Sequence, residues 1–445
     1  MRFNGTMRVN SKNHLEIGGV DTVDLAREYG TPLYVLDEAC FRDNCRRYRE
    51  AFAAGGGEVV YAGKTLLVKA VCRLVEEEGL SLDVCSGGEL STALAAGFPP
   101  SRLYFHGNGK TPGEVKLGVE AGVARFMVDN LYEVELLEKA CAAADTRQAV
   151  ILRVTPGIEA HTHEYIKTGQ IDSKFGLPIE TGQAMEGINR ILACPRLELK
   201  GLHCHIGSQV FDLESFVHTV QVMTGFLAEV RRLTGCLLEE LDLGGGLGIY
   251  YARGDAAPDI GLFARTVLAA LREAARSSGL SAPRLLVEPG RSIGGPAGTT
   301  LYTVGPVKTI PGVRTYVAVD GGMNDNPRLA LYGARYEAVL ANRAGEAATE
   351  TVTVAGNCCE SGDMLIQEAL LPPPRSGDLL AISATGAYNY SMSMNYNRFP
   401  RPAMVLVNGG RAELIVRRET YADVLDHDVV PARLWQREPL REAAR

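Results

Sequence analysis

No stretch of this sequence approaches the roughly 20 uninterrupted apolar residues that a membrane-spanning helix needs. The first fourteen residues, MRFNGTMRVNSKNH, lack the apolar core of a secretion signal. No basic block stands out and the formal net charge is −7, which argues against nucleic acid as a partner. Ten cysteines are scattered without one Cys-x-x-Cys pair, so reduced thiols are the default. Low-complexity tracts are missing too. These absences lead to the expectation of a cytoplasmic protein with no membrane and no nucleic acid among its partners. What is present is ordinary globular composition, 46% apolar and 22% charged, over 445 residues, a length that suggests two domains.

One stretch organises the rest. Gly57–Lys64 reads GEVVYAGK, and Val59–Ala62 has the character of a buried strand with Lys64 just past its end. A lone lysine there is ordinarily a solvated amine. Later segments repeat the arrangement, an apolar run capped by polar or glycine-rich residues, and make Lys64 a candidate Schiff-base lysine. Further strands are expected at Leu80–Val84, Leu103–Phe105, Phe126–Val128, Val150–Val154, Leu199–His203, Glu240–Leu243 and Leu285–Val287. Helical patterns lie between them at Leu66–Glu78, Glu89–Ala96, Glu133–Ala143, Leu213–Leu233 and Ile260–Ser277. Alternation of this kind implies a parallel sheet. Eight repeats in about 230 residues match a closed (β/α)8 barrel, with an open doubly wound sheet as the competing architecture.

Before the barrel come a strand at His14–Ile17, a helix at Asp21–Tyr29 with Asp21 as N-cap and Gly30 as stop, and a strand at Leu33–Leu36. After Arg291 the helical rhythm stops. Strands are expected at Tyr302–Ile310, Thr315–Asp320, Thr351–Ala355, Leu379–Ser383, Ala403–Val407 and Ala412–Arg417, an antiparallel β domain that the N-terminal segment joins. The expected division is residues 1–36 with the β domain, 37–298 as the barrel and 299–445 as the β domain.

Chemistry in such barrels gathers where strands end. There the sequence sets Asp83, Ser86 and Glu89, then His106 and Asn108, Asp129 and Asn130, Arg153, His203–Ser208, Gly244–Gly246 and Glu288–Arg291. A glycine triplet is often only a tight turn, but after a strand it can bring backbone N–H groups to a phosphate. GGGLGIYY is not a dinucleotide fingerprint, because the third glycine is misplaced. Glu288, Pro289, Gly290 and Arg291 offer a carboxylate and a guanidinium on one turn: a surface salt bridge, or a partner for a ring nitrogen and a grip on a carboxylate. His203 and His205 alternate along a strand and so face opposite sides, which argues against one metal between them. His161, His163 and Glu164 share a loop, but no second cluster has ligand spacing, and no metal is expected. Cys358–Asp363 is a polar turn; a thiol there, with a reference pKa of about 8.5, can donate a proton near neutrality. Gly386–Met392 is a turn with two tyrosines, and Asp320–Tyr332 adds Asn324, Asp325, Arg328 and Tyr332.

Taken together YAGK, DVCSGGE, HCHIGSQ, DLGGGLG, EPGRS, GMND with its following Arg and Leu-Tyr, CESGD and GAYNYSM resemble the diaminopimelate decarboxylase family, of the alanine-racemase-like fold type of pyridoxal-phosphate enzymes. The stretch from Glu159 to Gly176 is similar as well, and the resemblance spans nearly the whole chain. It implies decarboxylation of meso-diaminopimelate to L-lysine, the last step of lysine biosynthesis, with pyridoxal phosphate held by Lys64. It implies that His205 stacks on the ring, that Ser208 and Gly244, Gly245 and Gly246 hold the phosphate, and that Glu288 meets the ring nitrogen. Pro289, Gly290 and Arg291 complete that turn. Arg291, Arg328 and Tyr332 would bind substrate carboxylates, Glu360 the distal ammonium, and Tyr388 both cofactor and substrate. Cys359 would protonate the carbanion from the partner subunit of a homodimer. Three positions depart from the family: Leu329 for a common proline, Tyr336 for a histidine and Asn389 for a glycine. They bear on the shape of the pocket, not on the reaction class. The rival readings are a sister decarboxylase of ornithine, arginine or carboxynorspermidine, an amino-acid racemase on the same barrel, and a barrel that binds the cofactor without catalysis.

Overall fold

The protein was analysed as a computed structural model that describes residues 1–158 and 172–435. Eight parallel strands form the first body: Glu58–Ala62, Ser81–Val84, Leu103–Phe105, Arg125–Val128, Gln148–Thr155, Leu197–His203, Glu240–Asp242 and Arg284–Val287. The eighth pairs back onto the first, Leu286 opposite Glu58 and Val287 opposite Val59, and the fourth pairs with the fifth, so the barrel closes. The open-sheet alternative is thereby excluded.

The helices form where side-chain spacing and caps demand it. In Ile260–Ser277 the Asp259 carboxylate accepts the Leu262 N–H, and Ile260, Phe263, Ala264, Val267, Leu268 and Leu271 line one buried stripe against the barrel. Inside the barrel Val60, Tyr104, Met127, Ile151 and Leu286 make an apolar layer. Below it, Glu240 takes a two-pronged ion pair from Arg125 at 2.7 and 3.0 Å and another from Arg284 at 2.5 Å, while Arg284 also reaches Glu58 at 2.8 Å. This charged ring seals the amino-terminal end and leaves the opposite mouth for chemistry.

The second body is a sheet in which Leu33–Asp37 lies between Gly298–Ile310 and Ala403–Asn408. Several sequence expectations need correcting here. The sheet is mixed, not purely antiparallel: Leu33–Asp37 runs parallel to Ala403–Asn408, and Arg314–Val319 parallel to Glu350–Ala355. Strands at Ala338–Leu340 and Met364–Leu371 were not foreseen. Helical structure does not stop at Arg291, because Arg291–Ala297 is itself a short helix, and another runs from Arg328 to Tyr332. The helix expected from Leu66 begins at Lys69 instead; Leu66 is extended and buried, and its carbonyl accepts the Tyr61 hydroxyl at 3.1 Å. Among the described residues no helix is long and apolar enough to cross a membrane.

Candidate active site

Lys64 sits in a single 3-10 turn, Gly63–Thr65, directly after the first barrel strand. A side chain at Gly63 would put its Cβ 2.5 Å from the Asp83 carbonyl oxygen, so only glycine lets the turn lie this close to the second strand. Lys64 Nζ stands 3.5 Å from Asp83 Oδ2. The Asp83 side chain is fully enclosed, whereas Lys64 keeps 38% of its side-chain surface accessible. Burial opposes the ammonium, but Asp83, with Cys85, Glu288 and Tyr388, lifts it well above the ordinary lysine range. Cys85, whose thiol lies 3.4 Å from Asp83 Oδ1, is pushed well above the usual thiol range by burial and that carboxylate. It belongs to the DVCSGGE motif but was not singled out from the sequence.

The Gly386–Met392 turn is tied to the residue after this lysine. Tyr388 adopts φ 61° and donates its N–H to the Thr65 carbonyl at 2.8 Å, and Ser391 Oγ donates to the same oxygen at 2.9 Å.

Two loops on the neighbouring strand ends form a glycine cradle. The Val210 N–H donates to the Gly246 carbonyl at 2.9 Å, and the Gly245 N–H donates to His205 Nδ1 at 3.2 Å. A Cβ on Gly245 would fall 2.2 Å from the Glu288 carbonyl oxygen, and one on Gly246 would fall 2.3 Å from that of Gly207. Burial, then the nearby Lys64 and Arg153 charges, holds half-buried His205 well below the usual imidazole range, so its ring is neutral.

Glu288 is buried between two histidines. Oε1 lies 2.7 Å from His106 Nε2 and Oε2 lies 3.5 Å from His203 Nε2. Burial pulls the Glu288 carboxyl up, yet His106 and His203 win and hold it well below the usual range. Burial drives His203 down to about 4. The alternation of His203 and His205 along the strand gives no sign that His203 meets His106 and Glu288 across the barrel mouth.

Arg291 is buried, with Nε and Nη2 donating to Ser208 Oγ at 3.2 and 2.7 Å and Nη1 to the Tyr251 hydroxyl at 2.8 Å; its guanidinium lies 4.6 Å from the Tyr388 ring. Arg328 donates from Nη1 to the Tyr336 hydroxyl at 2.7 Å and lies 4.6 Å from the Tyr251 ring. Among the described residues neither guanidinium has a carboxylate within 4 Å. Two buried cations held by tyrosines, without counter-ions, suit a ligand that brings its own carboxylates. Tyr251 and Tyr336 are members of the site that sequence reasoning did not assign; Tyr336 figured only as a departure.

Not every expected residue comes to the mouth in this chain. Tyr332 ends the short helix and is half-buried. Cys359 and Glu360 are exposed on the turn of the β domain, where the Cys359 N–H donates to Asn397 Oδ1 at 2.7 Å and Glu360 Oε1 accepts the Gly362 N–H at 3.2 Å. Its neighbour Cys358 is buried, with Sγ 3.3 Å from Asn324 Oδ1. His161, His163 and Glu164 lie outside the described residues.

The residues present fit a flat anionic cofactor with a ring nitrogen. Among the described residues, five of the eight buried side-chain polar atoms without an aligned hydrogen-bond partner belong to His106, His203, Asp242 and Glu288. The glycine cradle beside them offers backbone and the Ser208 hydroxyl for a phosphate.

Comparison with known proteins agrees. Residues 38–295 match the family model of the pyridoxal-dependent decarboxylase pyridoxal-binding domain. The chain is 51% identical over 431 residues to a diaminopimelate decarboxylase of Bacillus subtilis, covering 96% of this chain and 98% of that one. It is 44% identical over 426 residues to one of Staphylococcus aureus, covering 95% and 99%. Among solved structures, diaminopimelate decarboxylase from M. jannaschii in complex with L-lysine superposes with a TM-score of 0.91 at 36% identity, covering 98% of this chain and 100% of that one.

Proposed function

The chain belongs to the diaminopimelate decarboxylase family of pyridoxal-dependent decarboxylases, and we propose that it converts meso-2,6-diaminopimelate to L-lysine and carbon dioxide at the barrel mouth. It is a carboxy-lyase. The observation that carries the reading is the convergence of Lys64, the Gly244–Gly246 cradle and Glu288 at one end of the barrel.

When bound, pyridoxal phosphate supplies a protonated ring able to take up the electron pair left by departing carbon dioxide. The chain's residues do the rest. Lys64 would hold the cofactor through its side-chain amine. Ser208 and the Gly244–Gly246 loop would hold the phosphate, His205 would stack on the ring and Glu288 would keep the ring nitrogen protonated, with Pro289, Gly290 and Arg291 shaping that turn. Arg291, Arg328 and Tyr332 grip carboxylates, and Tyr388 contacts cofactor and substrate. Holding the substrate in one fixed orientation can contribute several kcal/mol.

We place the chain in a homodimer in which the partner subunit's Cys359 protonates carbon and the partner subunit's Glu360 holds the distal ammonium. The exposure of both residues, on a turn whose own contacts run to Asn397 and Gly362, supports that arrangement. We propose a barrel domain of residues 37–298, a β domain of 299–445 joined by 1–36, and the cytoplasm as compartment, in keeping with ten free cysteines.

The test is a substrate panel of diaminopimelate, ornithine, arginine and carboxynorspermidine, scored by carbon dioxide and product identity beside a visible spectrum. Gas and L-lysine from diaminopimelate are expected. Preference for another amino acid would select the sister enzyme, and a chirally inverted product the racemase.

A further inference from the structure

Two histidines at the mouth have no part in the scheme above. His106 follows the third strand, its N–H fixed to the Val84 carbonyl at 2.8 Å, and its Nε2 is 2.7 Å from Glu288 Oε1. His203 ends the sixth strand and meets the His106 ring edge to face, with centroids 5.1 Å apart. The side chains of His106, His203 and Glu288 are 4%, 1% and 2% accessible. A carboxylate this deep must be paired or lose its charge. The titratable and charged groups around it are His106, His203 and Asp242, then Lys64, His205 and Arg153. His203 is neutral because burial takes it to about 4, and it stands farther off at 3.5 Å. Burial and the Glu288 charge raise the Asp242 carboxyl, so it stays protonated and brings no positive charge. At 2.7 Å His106 Nε2 stands closer to this carboxylate than His203 Nε2 at 3.5 Å.

His106 Nε2 and Glu288 Oε1 are near but out of line, and both lack a fully formed hydrogen bond.

Resting on the pyridoxal-phosphate reading, we propose that His106 is a positioning residue: it donates from Nε2 to Glu288 and, braced by the His203 ring, fixes that carboxylate for the cofactor's ring nitrogen. The residue acts through Glu288 and touches no reacting atom.

The experiment loads wild type, His106→Gln, His106→Leu and His106→Asn with pyridoxal phosphate labelled with nitrogen-15 in the ring, and follows the ring-nitrogen chemical shift from about pH 6 to pH 9. Wild type is expected to hold the protonated value throughout. Glutamine, which brings an amide donor close to the Nε2 position, keeps that value. Leucine and the shorter asparagine let the nitrogen lose its proton within the range. A wild-type shift in both the leucine and asparagine variants overturns the role; where leucine prevents folding, the asparagine variant alone decides. Wild type that binds no pyridoxal phosphate overturns the cofactor reading itself, and this proposal with it.

Discussion

Lys64 Nζ faces the enclosed carboxylate of Asp83 at 3.5 Å, and this charge decides the protonation of the amine. Neutralising the aspartate should lower the lysine's pKa and free its lone pair. In cofactor-free Asp83→Asn, reductive methylation of Lys64 at pH 8 should therefore run several-fold faster than in wild type, measured by peptide mass spectrometry against a surface lysine such as Lys116. Equal rates would mean that Asp83 does not control the amine.

The proposed sharing of sites between subunits makes a complementation prediction. Lys64→Ala should have no turnover and no visible cofactor absorbance, and Cys359→Ala should lose kcat more than it raises KM. Refolded together, the two variants should recover about a quarter of wild-type activity, since half of random dimers are mixed and one of their two sites is intact. No recovery would place both residues in one subunit's site, and an unchanged kcat in Cys359→Ala alone would remove it from the reaction.

Tyr336 is a concrete departure with a concrete contact. Its hydroxyl accepts from Arg328 at 2.7 Å, a charge-assisted bond worth about 1.5–3 kcal/mol. Tyr336→Phe should raise KM for diaminopimelate on the order of tenfold or more, with less effect on kcat. Steady-state kinetics decide it, and an unchanged KM would show that Arg328 is held by its neighbours alone.

Stability should fall on mild acidification. His203, held to about 4, and His205, also depressed, are neutral in the fold, while in the unfolded chain they charge near 6.5. Below that value the unfolded state binds the extra protons, so stability drops as pH falls from about 6.5 towards 4, by about 3 kcal/mol for His203. Glu288 is depressed, so its share is present above the unfolded value near 4.5 and is lost only further down, as pH falls through its folded value. Urea midpoints of cofactor-free protein between pH 7 and 4.5 should show the first slope, and His203→Phe should flatten it.

The barrel was legible because each strand is a short apolar run and each helix has its own stripe and cap, as Asp259 and Ile260–Ser277 show. Lys64, Gly244–Gly246 and Glu288 were legible for the same reason, since each follows a strand end directly. Tyr251 was not, because it lies in a loop whose path across the mouth no local pattern encodes; His106 and His203 met only once the sheet had curled round to face them. The short strands Ala338–Leu340 and Met364–Leu371 lacked a clean alternation, and pairing with distant partners made them strands.

The strand Leu33–Asp37 pairs Leu36 with Gly298 on one side and Leu33 with Ala403 on the other. During synthesis this segment emerges early; the partner of one edge, Gly298–Ile310, follows soon after the last barrel strand, but the other edge stays bare until the chain has grown past residue 400. Ribosome-bound chains stopped between these points should carry a closed barrel beside an exposed, sticky ribbon, which makes this enzyme's birth, more than its finished form, the stage at which it is prone to clump.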